Sequence, residues 1–202
     1  MNNYEYIIAS LPVLSEGSAG KVDAGALVAE IRGHLSSRDN ALMDLLLEGY
    51  GDGTQDAEFY RRALGCSNGF LRRFFEYDLA VRNAKVDYLN RALGRPEGMD
   101  KVVLGEEEPD FDGRAEVDAV LNGSDILARE RGLDSIRWEK ISSLTTFSYF
   151  DLDAILGVIA KMGIVERWRA LDEETGREMF QELIDETRAS YGGVSYNPAQ
   201  NE

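Results

Sequence analysis

"FFEYDLAVRNAKVDYL", residues 74–89, decides the fold. It lies inside a proline-free run from about Asn68 to Leu93, without an evident cap, that predicts one long helix. Winding the run at roughly 100° per residue puts Phe70, Phe74, Tyr77, Val81, Ala84 and Tyr88 on one apolar stripe. Leu71, Phe75, Leu79, Val86, Leu89 and Leu93 form a second stripe beside it, and Glu76, Asn83, Asp87 and Arg91 fall on the opposite side, as a solvent face should. Asp78, Arg82 and Lys85 nevertheless project from the middle of the apolar arc.

Outward from that helix, almost every periodic segment has helical spacing. "DAGALVAEIRGHL" places Leu27, Ile31 and Leu35 four apart behind Asp23 as N-cap. "SRDNALMDLLLEGYG" offers Ser37 as a cap, Leu42, Leu45 and Leu46 as core residues, and Gly49 and Gly51 as a stop. A shorter helix runs from Asp56 to Leu64. Between Gly94 and Gly113 the pattern fails in a stretch of prolines, glycines and acids that reads as a mobile surface connection. Helices resume near 113–121, 124–132 and 134–143. An apolar segment of two to three turns then reaches Gly163, and a last helix follows, capped by Asp172 with Phe180, Leu183 and Ile184 inward. The expected fold is all-α: a helical bundle of two lobes, 1–96 and 113–190, joined by an acidic linker, 97–112, with a disordered tail, 191–202. "FFEYDL" (74–79) and "FSYFDL" (147–152) echo each other, as duplicated helical units would.

At 202 residues the chain is long enough to bury a substantial core. A formal net charge of −15 argues against general nucleic-acid or anionic-membrane binding, both of which demand a basic surface. Seventeen of the 22 basic residues are Arg, the cation better suited to paired, partly buried contacts with carboxylates. One cysteine, Cys66, rules out an intramolecular disulfide and fits a reducing compartment. The start "MNNYEYIIASLPVL" is a poor signal peptide, and the longest apolar stretch, 154–165, is interrupted by Lys161 and far short of a membrane span. The expected location is cytoplasmic.

Catalytic apparatus is hard to find. His34 is the single histidine, which excludes a multi-histidine metal site; at a helix end it reads as a cation for the helix dipole. Cys66 sits in a helix-to-helix turn with no histidine near in sequence. "GYGDGTQDAEF" (49–59) lacks the Gly-Lys-Ser/Thr ending of a phosphate loop, and the twelfth position from Asp52 is Ala63 rather than the Glu of a calcium loop. No cofactor, no metal and no enzymatic activity are expected. The aromatics Phe74, Tyr77, Trp138, Phe150 and Trp168 read as packing residues, the two tryptophans beside arginines.

That leaves Asp78, Arg82 and Lys85 as the cluster to explain. Asp78 and Arg82 are four apart and can pair along the helix, with Lys85 about one turn on. Three arrangements satisfy these charges: an internal salt bridge that docks the two lobes, a half-covered wet arc, or cover by a partner protein. A buried Asp78–Arg82 pair implies a cost on the order of 3 kcal/mol for Arg82→Ala.

The start "YEYIIASLPVL", the helix "FFEYDLAVRNAKVDYL" and the later "IRWEKISSLTTFSYFDLDAILGVIAKMGIVERWRALD" together resemble a bacterial group of proteins encoded with V-type ATPases. That group looks related to the C-type subunit of A/V-type ATPases, the d-type subunit of the eukaryotic enzyme. The resemblance implies a non-enzymatic, all-helical coupling protein that joins the central shaft to the proteolipid rotor ring during ATP-driven proton or sodium transport. The chain has room for about two of the three helical units typical of that rotor-capping family. The alternative expectation is a soluble acidic helical adaptor or regulator unrelated to an ATPase.

Overall fold

The computed structural model describes residues 4–15, 22–51, 53, 55–105 and 111–170. The protein is all-α. Its described helices are α1 (Glu5–Ser10), α2 (Ala24–His34), α3 (Ser37–Glu48), α4 (Ala57–Gly65), α5 (Gly69–Leu93), α6 (Arg114–Leu121), α7 (Ile126–Thr145) and α8 (Leu152–Ala170). Among the described residues there is no strand. The last helix expected from sequence, with Asp172, Phe180, Leu183 and Ile184, lies outside the described residues, as does the tail.

Local chemistry sets the boundaries. Asp23, Ser36, Asp56, Asn68 and Asp125 each accept a hydrogen bond from the backbone N–H three residues on, satisfying a donor the first helical turn leaves open. Ser36 rather than Ser37 therefore caps α3, and the long helix is capped after all. The Asn68 side chain takes the Leu71 N–H at 2.8 Å. At its far end Gly94 turns left-handed at φ 63°, letting the Arg95 N–H close back on the Asn90 carbonyl at 2.9 Å.

α5 packs against α4, α6 and α7, and α8 packs against α7, α3 and α2. The larger apolar cluster joins α1–α4 and the first half of α5 to the end of α7 and most of α8. Phe59, Phe70, Phe74 and Phe75 form its aromatic centre; the Phe59 and Phe75 rings meet edge to face at 5.0 Å. The smaller cluster joins Tyr77, Val81 and Ala84 of α5 to Val117 and Leu121 of α6 and Leu133 and Ile136 of α7. Both clusters thus draw on residues from either side of 97–112. α5 and α7 contribute to both, and the double stripe of apolar residues on α5 explains its part.

Four sequence expectations change. The break expected near residue 133 does not occur: α7 runs unbroken through Gly132, where a Cβ would stand 2.6 Å from Val120 of α6. α8 likewise continues through Gly157, which abuts Thr145, and Gly163, which abuts the Tyr50 ring. These glycines are approach points for neighbouring elements, and packing offsets their cost of about 1 kcal/mol in a helix. Asn83, expected on the solvent face, is 2% exposed. It exchanges two hydrogen bonds with the Val102 backbone, while Asn90 donates to the Met99 carbonyl and Asp87 pairs with Lys101. The segment after α5 is therefore strapped back along that helix, and Leu89 and Leu93 are the large apolar residues of α5 left exposed.

The fourth concerns the echo. "FFEYDL" lies mid-helix with Phe74, Phe75 and Tyr77 buried, whereas "FSYFDL" is the bend between α7 and α8. Phe150, expected to pack, is 55% exposed there, because the bend carries its ring away from the core. The two segments are not structurally equivalent.

Gly49 closes α3, where an added Cβ would lie 2.6 Å from the buried Phe75 ring and 3.0 Å from Phe59. Gly49→Ala is expected to cost about 1–3 kcal/mol through overpacking, read as a lowered urea midpoint. An unchanged or raised midpoint contradicts this packing.

Candidate functional site

The charges in the apolar arc of α5 meet a matching set on α7. Asp78, Arg82 and Lys85 are spaced four and three along α5. Read backwards, Arg137, Asp134 and Glu130 are spaced three and four along α7. The signs are opposite at every level. Arg137 Nε donates to Asp78 Oδ1 at 2.9 Å, and Lys85 Nζ to Glu130 Oε1 at 2.5 Å. Pairing 78 with 137 and 85 with 130 makes the helices antiparallel and brings Arg82 level with Asp134.

The two end rungs are closed and reinforced. Asp78 Oδ2 also accepts from the Tyr60 hydroxyl at 2.8 Å, tying α4 into the ladder. Glu130 Oε2 accepts from Arg167 of α8 at 2.5 Å. Asp134 Oδ1 faces Arg137 at 3.3 Å and Arg167 at 3.4 Å. The middle rung is not made: Arg82 Nη1 and Asp134 Oδ2 are both buried and have no hydrogen-bond partner among the described residues. Asp78 therefore pairs with Arg137 across the helices rather than with Arg82 along its own.

A cleft of about 610 Å³ opens at this level. Asp78, Arg82, Asp134, Arg137 and Arg167 line it, with Tyr50, Phe74, Phe75 and Ile164 as apolar wall and Gly49, Gly51 and Gly53 along one rim. The Tyr50 hydroxyl donates to the Ala160 carbonyl at 2.7 Å, holding the rim against α8.

Burial and charge act on these groups in opposite directions. Burial, reinforced by the Asp78 carboxylate, pushes the Tyr50 and Tyr60 hydroxyls well above the usual phenol range, so both stay neutral donors. Burial also raises the Asp134 carboxyl, against the opposing pull of Arg137 and Arg167. For Arg137 burial works against the charge, but Asp78 and Asp134 outweigh it and raise the guanidinium further. Burial would raise Glu130 too, yet Lys85 and Arg167 prevail and hold it below the usual carboxylate range.

The remaining sequence candidates lie outside the cleft, apart from Phe74. Tyr77 is buried under the Lys140 ammonium, 4.6 Å from the ring centroid. Trp138 lies under Lys161 at 4.9 Å and Trp168 under Arg131 at 4.7 Å, both partly buried. His34 ends α2 beside the Tyr6 ring, and Cys66 closes α4 as a free thiol. Among the described residues no three His, Cys, Asp or Glu side chains converge as a metal site requires. Sequence reasoning missed Tyr60, Glu130, Asp134, Arg137 and Arg167. The signal for three of them was present: Glu130, Asp134 and Arg137 repeat a four-then-three spacing on one helix face, hidden by the break assumed next to Gly132.

Fold and site together define an all-helical protein whose two central helices are latched by an ionic ladder, nearly buried at Asp78 and partly exposed at Glu130. A model of the family DUF2764, described as a protein of unknown function, matches residues 52–190, more than half of the chain, and the chain belongs to that family. No curated protein and no solved structure matches it. The family match corrects the resemblance to the rotor-capping C-type protein of A/V-type ATPases. The aromatic and acidic spacing that carried the resemblance is what a long helix shared by two cores requires, whatever its ancestry.

Asp78→Ala takes the acceptor from Arg137 Nε and from the Tyr60 hydroxyl, leaving Arg137 only the 3.3 Å contact with Asp134, and is expected to cost about 3 kcal/mol in chemical denaturation. Arg82→Ala breaks no pair and is expected to stay within about 1 kcal/mol of the native protein. Equal losses for the two contradict the ladder. Glu130 has a depressed folded value, so its stabilisation is complete above its unfolded value of about 4.3 and is lost as pH falls through the lower folded one. The unfolding-temperature gap between native protein and Glu130→Gln is therefore expected to shrink below about pH 4.3. A gap constant down to about pH 3 refutes the assignment.

Proposed function

We propose that the protein is a non-enzymatic coupling component of a V-type ATPase, peripheral to the membrane and bridging the central shaft and the proteolipid rotor ring. The observation that carries an interaction role is the bend between α7 and α8. Phe147, Tyr149 and Phe150 stand there 87%, 63% and 55% exposed within four residues. Such a concentration of aromatic surface favours contact with another protein. The bend is held in place, since the Phe150 carbonyl accepts from the Tyr4 N–H at 3.0 Å and the Asp151 carboxylate caps the start of α8.

Acidic Asp151 and Asp153 flank the aromatics, and the chain carries a formal net charge of −15, which suits a basic partner surface and a salt-sensitive contact. Among the described residues no helix is long and apolar enough to cross a membrane, so membrane association in this reading runs through the partners. The choice of assembly is this reading's own, since the matched family is of unknown function, and it invokes no common descent with the known rotor-capping proteins.

Purification of the tagged protein from native membranes at low salt, followed by mass spectrometry, tests the reading. Shaft proteins and proteolipid are expected in the eluate and should be lost with Phe147→Ser/Phe150→Ser, whose folding stability should change by no more than about 1 kcal/mol. A clean monomer, with catalytic ATPase components in the extract but absent from the eluate, overturns it. Recovery of other partners alone favours an adaptor outside any ATPase.

A further inference from the structure

The unmade middle rung is the feature of the ladder that stability does not explain. Arg82 brings a positive charge to the cleft and Asp134 a carboxylate that is 3% exposed, and each has one buried polar atom without a partner among the described residues. Leaving both unpaired is costly in a low-dielectric interior. The geometry points to a ligand between them: we propose that the cleft binds a phosphate group that accepts from Arg82 and donates its own P–OH to Asp134 Oδ2.

The chemistry of the two atoms selects this class. Arg82 offers only N–H donors, and its buried Nη1 has no acceptor among the described residues, so its complement is an oxyanion. Asp134 Oδ1 already faces Arg137 and Arg167. Its free oxygen needs a hydrogen-bond donor but no further cation. Three guanidinium groups, of Arg82, Arg137 and Arg167, line the cleft against the carboxylates of Asp56, Asp78 and Asp134; Asp56 is taken up capping α4, so the unpaired buried donor of Arg82 selects an anion over an ammonium. A bare carboxylate or sulfate cannot donate, whereas a phosphate that keeps one proton does both. The cleft, at about 610 Å³, falls within the range of small-molecule sites and leaves room for an organic body on the phosphate. Tyr50, Phe74 and Phe75 supply an apolar wall for it. Inorganic phosphate and phosphate monoesters share the recognised group.

This site is independent of the partner reading, because it is tested on the purified chain alone. Calorimetric titration at about pH 6, where a monoester retains much of its P–OH, compares inorganic phosphate, glycerol phosphate, sulfate and glycine. One saturable site is expected for phosphate or glycerol phosphate, with sulfate at least about tenfold weaker for want of the donated hydrogen bond. Tighter binding of glycerol phosphate assigns the spare volume to an organic body, and tighter binding of inorganic phosphate assigns the site to the free ion. Arg82→Gln, which breaks no existing pair, should weaken phosphate at least about tenfold without lowering the unfolding temperature. The exposed Arg95→Gln should leave binding unchanged. Asp134→Asn should narrow the preference for phosphate over sulfate, since an amide N–H can donate to either. If that variant does not fold, Arg82→Gln decides alone. No saturable binding, equal affinity for phosphate and sulfate, binding of glycine without phosphate, or an unaffected Arg82→Gln overturns the proposal.

Discussion

The pairing of Asp78 with Arg137 is the contact on which the arrangement of the helices depends. A carboxylate in the arc of α5 that also supplies both apolar clusters is unfavourable unless it is fully answered, and Asp78 is answered twice, by Arg137 of α7 and by Tyr60 of α4. Apolar side chains alone would let α5 and α7 slide or rotate at little cost. A guanidinium at 2.9 Å and a hydroxyl at 2.8 Å do not, because shifting either helix by one turn strands a buried charge. Lys85 and Glu130 repeat the constraint two turns away, and Arg167 carries it to α8. The charges therefore set register, while Phe59, Phe70, Phe74 and Phe75 supply the apolar burial that dominates folding.

Much of this fold was legible because helices announce themselves locally. Asp23 caps where it was expected to, and the periodicity of residues 70–88 predicted the buried face of α5 through Ala84. What failed depended on residues far apart in sequence. A break next to Gly132 and an end at Gly163 were expected, yet each glycine admits a neighbour that would otherwise collide. Asn83 reads as a solvent residue by type, yet it satisfies the backbone of a strap 19 residues on. The partner of Asp78 lies 59 residues away, and no local rule selects it over Arg82, four residues on.

The outer surface has a different logic from the latch. Exposed aromatics concentrate at the bend before α8, next to acidic residues, and a backbone hydrogen bond from Tyr4, just before α1, fastens the bend. The cleft at the middle of the ladder adds a place where occupancy would act directly on the α5–α7–α8 junction, since Arg82, Asp134 and Arg167 come from those three helices.

A double-mutant cycle between Asp78 and Arg137, using Asp78→Asn and Arg137→Met in chemical denaturation, tests the latch most directly. The expected coupling energy is above about 1.5 kcal/mol, as for groups sharing one buried network. A coupling within about 0.3 kcal/mol of zero would mean that the two side chains act independently and that α5 and α7 are not registered by their charges.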